Sequence, residues 1–128
     1  MITGISSNLQ ALSALAVSQA VTADNVANVN TDGYRSARVT LETGQGGDGV
    51  AVQEISRDAN PGPVRYEEIP SLTEEGRYEA AMTAVEGSNV DITTQMVNMV
   101  RDANAYSANI TAIRTQEELV GSILNMTA

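Results

Sequence analysis

Residues 89–126, NVDITTQMVNMVRDANAYSANITAIRTQEELVGSILNM, hold the longest regular pattern in the chain. Ile92, Met99, Tyr106, Ile113 and Val120 recur seven apart, and Met96, Ala103, Ile110, Glu117 and Leu124 follow in the companion register. This run of heptads predicts one helix from about Asp91 to Asn125, on the order of 50 Å long. Asn89 or Asp91 can cap its start by accepting from the first free backbone N–H groups, and neither Pro nor Gly interrupts the run before Gly121. Val97, Val100, Leu119 and Ile123 widen the apolar stripe beyond a two-position seam, so this helix expects more than one neighbour.

The start of the chain repeats the pattern. Ile2, Ile5, Leu9, Leu12, Ala16, Gln19, Ala23 and Val26 alternate gaps of three and four, with Asn8, Gln10, Ser13, Ser18, Thr22 and Asp24 on the opposite face. A helix from about Ser6 to Asn28 follows, roughly 35 Å long. The two helices differ in length, so a lone pair leaves apolar stripe uncovered and implies self-association or a partner. Beyond the first helix, Ala27-Asn28-Val29-Asn30-Thr31-Asp32-Gly33-Tyr34-Arg35 reads as a helix exit. Its Asn and Thr side chains can satisfy terminal backbone groups, and Gly33 accepts a left-handed conformation.

Between the helices the period disappears and punctuators accumulate, from Gly44 to Gly76. Short extended runs are expected at 37–41, 50–55 and 63–66, making a small hairpin or three-stranded patch too small to stand alone. Residues 67–85, rich in glutamate, read as a solvated loop. The expected fold is therefore mainly α: long terminal heptad helices packed as a coiled coil, with a small β-hairpin or β-patch and irregular loops in the middle. The expected organisation is 1–35 for the first helix and its exit, 36–88 for the middle and 89–128 for the second helix, with the two helices forming one joint domain.

Composition narrows the function. The 128 residues include no Cys, His, Trp, Phe or Lys, which removes imidazole acid–base groups, thiol nucleophiles and thiolate zinc sites. An enzyme is not expected, nor a cofactor or metal. Gly44-Gln45-Gly46-Gly47-Asp48-Gly49 is no phosphate cradle, because no helix opens after it and no P-loop Lys exists. The glutamate pairs are adjacent and point to different faces. A net charge of -9 argues against nucleic acid and anionic membrane surfaces, and no run is long enough to span a bilayer. Ten acids face three Arg between Glu42 and Glu86, so most of the acidity is central. A core made largely of Ala, Val, Ile, Leu and Met, at roughly 25 cal/mol per Å², leaves the single chain marginally stable.

ANVNTDGYR at 27–35 resembles the N-terminal signature of the bacterial flagellar rod and hook proteins, of the form Ala-Asn-x-x-Thr-x-Gly-Tyr/Phe-Lys/Arg. Residues 89–109, with Asn89-Val90-Asp91, Met96-Val97-Asn98-Met99 and Ala105-Tyr106-x-Ala108-Asn109, resemble the C-terminal helix of the same family. The short middle, with Gly49-Val50-Ala51-Val52 and Asp58-Ala59-Asn60-Pro61, is most similar to a small proximal rod protein, although Ser71 to Tyr78 departs from that type. The resemblance implies a structural subunit exported unfolded through the flagellar type III apparatus without a cleaved signal peptide. It would assemble helically, with copies of itself and other rod and hook-basal-body proteins, into the periplasm-spanning rod that transmits torque. On that reading Leu9, Leu12, Val26, Met96, Met99, Tyr106, Ile110 and Ile113 make helix contacts within and between subunits, while Asn28, Asn30, Thr31, Gly33 and Tyr34 fix the helix exit. A stand-alone helical partner-binding module is the alternative.

Overall fold

The computed structural model describes residues 2–126, with side chains from residue 4 onward; residues 1, 127 and 128 of the expected terminal segments lie outside it. Helix α1 spans Ile2–Ala27, and α2 spans Ile92–Met126. Between them run β1 (Ala37–Thr43), a 3-10 turn (Gln45–Gly47), β2 (Val50–Arg57), β3 (Val64–Leu72) and β4 (Tyr78–Glu86). Asp91 caps α2: its Oδ1 accepts from the Thr93 backbone N–H at 2.9 Å and its Oδ2 from the Thr94 hydroxyl at 2.7 Å. These bonds favour the ionised form and hold the Asp91 carboxyl below its ordinary range.

The helices lie antiparallel in a constant register. Asn25 bonds Gln95, Ser18 bonds Asp102, and a Cβ on Gly4 would fall 2.9 Å from Gln116 Nε2. Each of these pairs sums to 120, and the same rule pairs Thr22 with Asn98, Leu15 with Ala105, Ala11 with Asn109 and Asn8 with Ala112. Every one of these positions is buried or half-buried. The seam inside the subunit is thus made of small and polar residues at heptad spacing, with Leu15 as its one large apolar member. Asn8, Ser18 and Thr22, expected on the outer face, stand in it, and the apolar heptads stand beside it.

The mainly α, coiled-coil expectation is overturned by the strands. Four antiparallel strands form two separate two-stranded sheets, β1–β2 and β3–β4, in place of one small patch. In β1–β2 the register shifts between Thr40 and Leu41, which face Glu54 and Val52 and leave Gln53 as the extra residue of a bulge. This sheet packs on α1, so α1 is the central element, with α2 on one side and β1–β2 on the other. The glutamate-rich stretch read as a solvated loop is most of a nine-residue-per-strand hairpin, paired from Val64↔Glu86 to Leu72↔Tyr78. It packs closely on no other element. Both of its faces are wet, so burial within the subunit imposed no strict alternation along both strands.

Among the described residues Ala14 is the one buried apolar side chain. The accessible surface is 8941 Å², against about 6,500 Å² expected for a monomer of this mass. The excess is the size of a substantial protein–protein interface.

Candidate functional site

Two features stand out: a hydrogen-bonded junction where the ends of the helices meet the roots of both hairpins, and broad apolar faces left open around it. Asn25, 1% exposed, is the hub of the junction. Its amide donates to the Ala37 carbonyl at 2.7 Å and to Gln95 Oε1 at 3.0 Å. Its oxygen accepts from the Ala37 N–H at 2.7 Å and from the Tyr34 hydroxyl at 3.1 Å. One side chain therefore ties α1 to β1, to α2 and to the exit turn. The one Tyr34 hydroxyl proton is shared with Asp24, the shorter contact at 2.8 Å, and the Arg57 guanidinium lies 5.6 Å from the Tyr34 ring centroid. Partial burial, then Asp24, push the phenol upward and keep it a donor.

The exit turn is built locally and then clamped from afar. Asn28 donates to the Asp24 carbonyl and accepts from the Thr31 hydroxyl at 3.1 Å, closing the last turn of α1. Gly33 takes φ 66°, a left-handed value that a side chain would strain, and its N–H donates to the Glu86 carbonyl at 2.8 Å. Asp32 pairs with Arg65 at 2.7 Å, and Arg35 pairs with Glu86. Asn30 stands exposed, outside this set of bonds.

On the far side, Asn89 Oδ1 accepts from the Ser36 N–H at 2.7 Å and its amide donates to the Asn60 carbonyl at 2.8 Å. The Asn89 backbone N–H donates to the Tyr34 carbonyl at 3.2 Å, so the two stretches that carry the family resemblance are bonded to each other. Gly62 belongs here for space, since a Cβ on it would fall 2.1 Å from the Gly87 carbonyl oxygen.

Glu86 couples this junction to pH. Arg35, then the Gly62 N–H, hold its carboxyl below the ordinary value of 4.5. A carboxyl depressed by folding adds stability above its unfolded value and loses it as pH falls through the folded one. The melting-temperature gap between wild type and Glu86→Gln should therefore be constant from neutral pH to about 4.5 and close below it; a pH-independent gap would refute the coupling.

The apolar residues expected to make helix contacts all lie off the seam. Leu9, Met96, Met99 and Tyr106 are exposed, and Leu12, Val26, Ile110 and Ile113 are half-buried. At about 100° per residue, Met96, Met99, Ala103, Tyr106 and Ile110 sit about a quarter turn from the α2 seam, and Ile5, Leu12 and Ala16 about as far from the α1 seam. In an antiparallel pair these offsets fall on the same side, opposite the β1–β2 sheet. One apolar face two helices wide results. A second is the hairpin face carrying Val64, Tyr66, Leu72, Tyr78 and Met82, each at least 57% exposed. Sequence reading missed this face, along with Asn25 and Glu86. The alternation Tyr78, Ala80, Met82, Ala84 was its one available signal.

Among the described residues no three carboxylates gather to hold a metal, and no helix is long and apolar enough to cross a membrane. Residues 5–35 match the family model described as "Flagella basal body rod protein", and residues 78–126 match "Flagellar basal body rod FlgEFG protein C-terminal". The chain is 30% identical over 126 residues to the "Flagellar basal-body rod protein FlgC" of Yersinia enterocolitica, covering 91% of this chain and 90% of that protein.

Proposed function

This chain belongs to the flagellar basal-body rod protein family, and from that premise we propose how it works as a structural subunit of the rod. Its terminal helices form one joint axial unit, residues 1–35 with 89–128, and residues 36–88 form a module held by the junction. The axial unit assembles through the apolar face of its helix pair, against other copies and other basal-body rod proteins. The polar seam fixes the subunit's internal register, and the open face supplies the cohesion between subunits.

One observation carries this reading: a single apolar side chain is buried among the described residues of the subunit, while large apolar side chains line the exposed side of α2 and one face of the β3–β4 hairpin. A soluble monomer rarely leaves so much apolar surface in water. The same shortage of core supports export as an unfolded chain through the flagellar type III apparatus. Folding is completed by neighbours on assembly. Stiffness under torque then comes from the intersubunit contacts.

A stand-alone helical partner-binding module is not favoured, because that reading leaves the family match at both ends without a role. The test is electron microscopy of basal bodies from cells with this gene deleted and then restored. Deletion should remove a helical layer of the rod and restoration should return it; intact rods in the deletion strain would overturn the proposal.

A further inference from the structure

We propose that the groove between α1, the root of β1–β2 and α2 receives the acidic tip of the β3–β4 hairpin of a second copy of this chain. The proposal rests on the chain being a rod subunit. The groove encloses about 480 Å³ and its lining includes Arg38, Arg57 and Arg101. These are three of the chain's seven basic residues, in a protein of net charge -9. Asp58 is the carboxylate that lines it, so the walls carry three positive charges against one negative.

The arginines have charge to spare. Arg38 makes no ion pair among the described residues, and Arg57 engages only the Tyr34 ring and the Arg35 carbonyl. Arg101 lies beside Asp102 at 3.2 Å, but that carboxylate is buried and also accepts from Ser18. The remaining walls are largely polar, with Thr22 and Gln95 at the floor. Such a site suits an acidic turn better than an apolar segment.

The chain carries such a turn. Thr73-Glu74-Glu75-Gly76-Arg77 closes the β3–β4 hairpin through the Thr73 N–H to Arg77 carbonyl bond of 2.8 Å and the Gly76 N–H to Thr73 carbonyl bond of 2.9 Å. Glu79 follows in β4, and Glu67 and Glu68 lie along β3. Nine residues per strand put the tip roughly 30 Å from the junction, and the hairpin packs closely on no element of its own chain. Groove and tip are different surfaces, so the contact is head-to-tail. A head-to-tail contact whose rotation does not close into a ring repeats into an open helix, the form a rod requires.

Reversing charge on each side tests this in the full-length chain, expressed in cells lacking the gene. Glu74→Arg with Glu75→Arg, and separately Arg38→Glu with Arg101→Glu, should each lower rod-containing basal bodies at least tenfold. The four changes together should restore at least half the wild-type yield. All four sites are exposed, but Arg101 also faces the buried Asp102 carboxylate, so Arg38→Glu alone is made beside the double reversal. Its circular dichroism and that of the tip reversal should match wild type, and it should lower the rod yield by itself. Normal yield from either reversal alone, or no recovery in the fourfold variant, overturns the proposal and leaves the family reading intact. Failure of the wild-type chain to enter rods instead overturns that family reading. As a second measurement, Glu75→Cys with Ser56→Cys, in a chain without native Cys, should give disulfide-linked oligomers in basal bodies that neither single variant gives. Their absence counts against the contact.

Discussion

Replacing Met96 and Met99 together by Asp is expected to abolish entry into the rod and leave the isolated chain folded as before. Both sites are open in the single subunit, 61% and 37% exposed, and both lie off the polar seam. There the change is a surface substitution within about 0.5 kcal/mol. In an assembled apolar contact each new carboxylate would be stripped of water without a partner, at several kcal/mol apiece. Together that is on the order of 6 kcal/mol, or roughly four powers of ten in association. The check pairs circular dichroism of the purified chain with quantification of the chain in isolated basal bodies. Normal incorporation would mean that this face is not an assembly surface.

Asn25→Ala is expected to have the largest effect on the fold itself. The side chain makes four hydrogen bonds from a fully buried position. Truncation leaves the Ala37 N–H and carbonyl and the Gln95 amide oxygen seeking partners at once, while the Tyr34 hydroxyl keeps Asp24. At 1–3 kcal/mol for a buried group left unpaired, partly recovered by water at the junction, the loss should be about 3 kcal/mol. For a domain of this size that lowers the melting temperature by about 10 °C. Thermal denaturation followed by circular dichroism measures it directly. A drop of only a degree or two would show that Asn25 is not the hub. Asn28→Ala makes a useful comparison, since its bonds reach only Asp24 and Thr31 and its loss should be the smaller.

The helices were legible in the sequence because a period of three and four residues survives any partner. The end of α2 falls within a residue of expectation, and Asp91 caps its start as one of the two expected candidates. What the period could not reveal was which face turns inward. Gln95, Asn98, Asp102, Ala105, Asn109, Ala112 and Gln116 repeat at heptad spacing as regularly as Met96, Met99, Ala103, Tyr106, Ile110 and Ile113 do. Hydropathy selects the second set for the core of a monomer. On α2 the subunit reverses that choice: small and hydrogen-bonding residues lie within, and Met96, Met99 and Tyr106 are left open.

The hairpin was illegible for a related physical reason. With both faces in solvent, β3 and β4 tolerate glutamate in either phase, and Glu68 and Glu86 interrupt the one face that is otherwise apolar. The exit motif was readable as local chemistry at Asn28, Thr31 and Gly33. Its wider use was not readable, because the groups that clamp it, Arg65, Glu86 and Asn89, come from residues more than thirty positions away.

If the polar seam is internal to the subunit and the apolar stripe beside it is covered only in the rod, the two surfaces should differ in chemical access. Single cysteines at Met96 and at Asn98, in a chain with none of its own, can be labelled with a maleimide in the purified subunit and again in intact basal bodies. Met96→Cys should react readily in the free chain and become at least tenfold slower in the rod, while Asn98→Cys should change far less between the two states. Equal reactivity of Met96→Cys in free chain and rod would contradict a stripe covered by assembly.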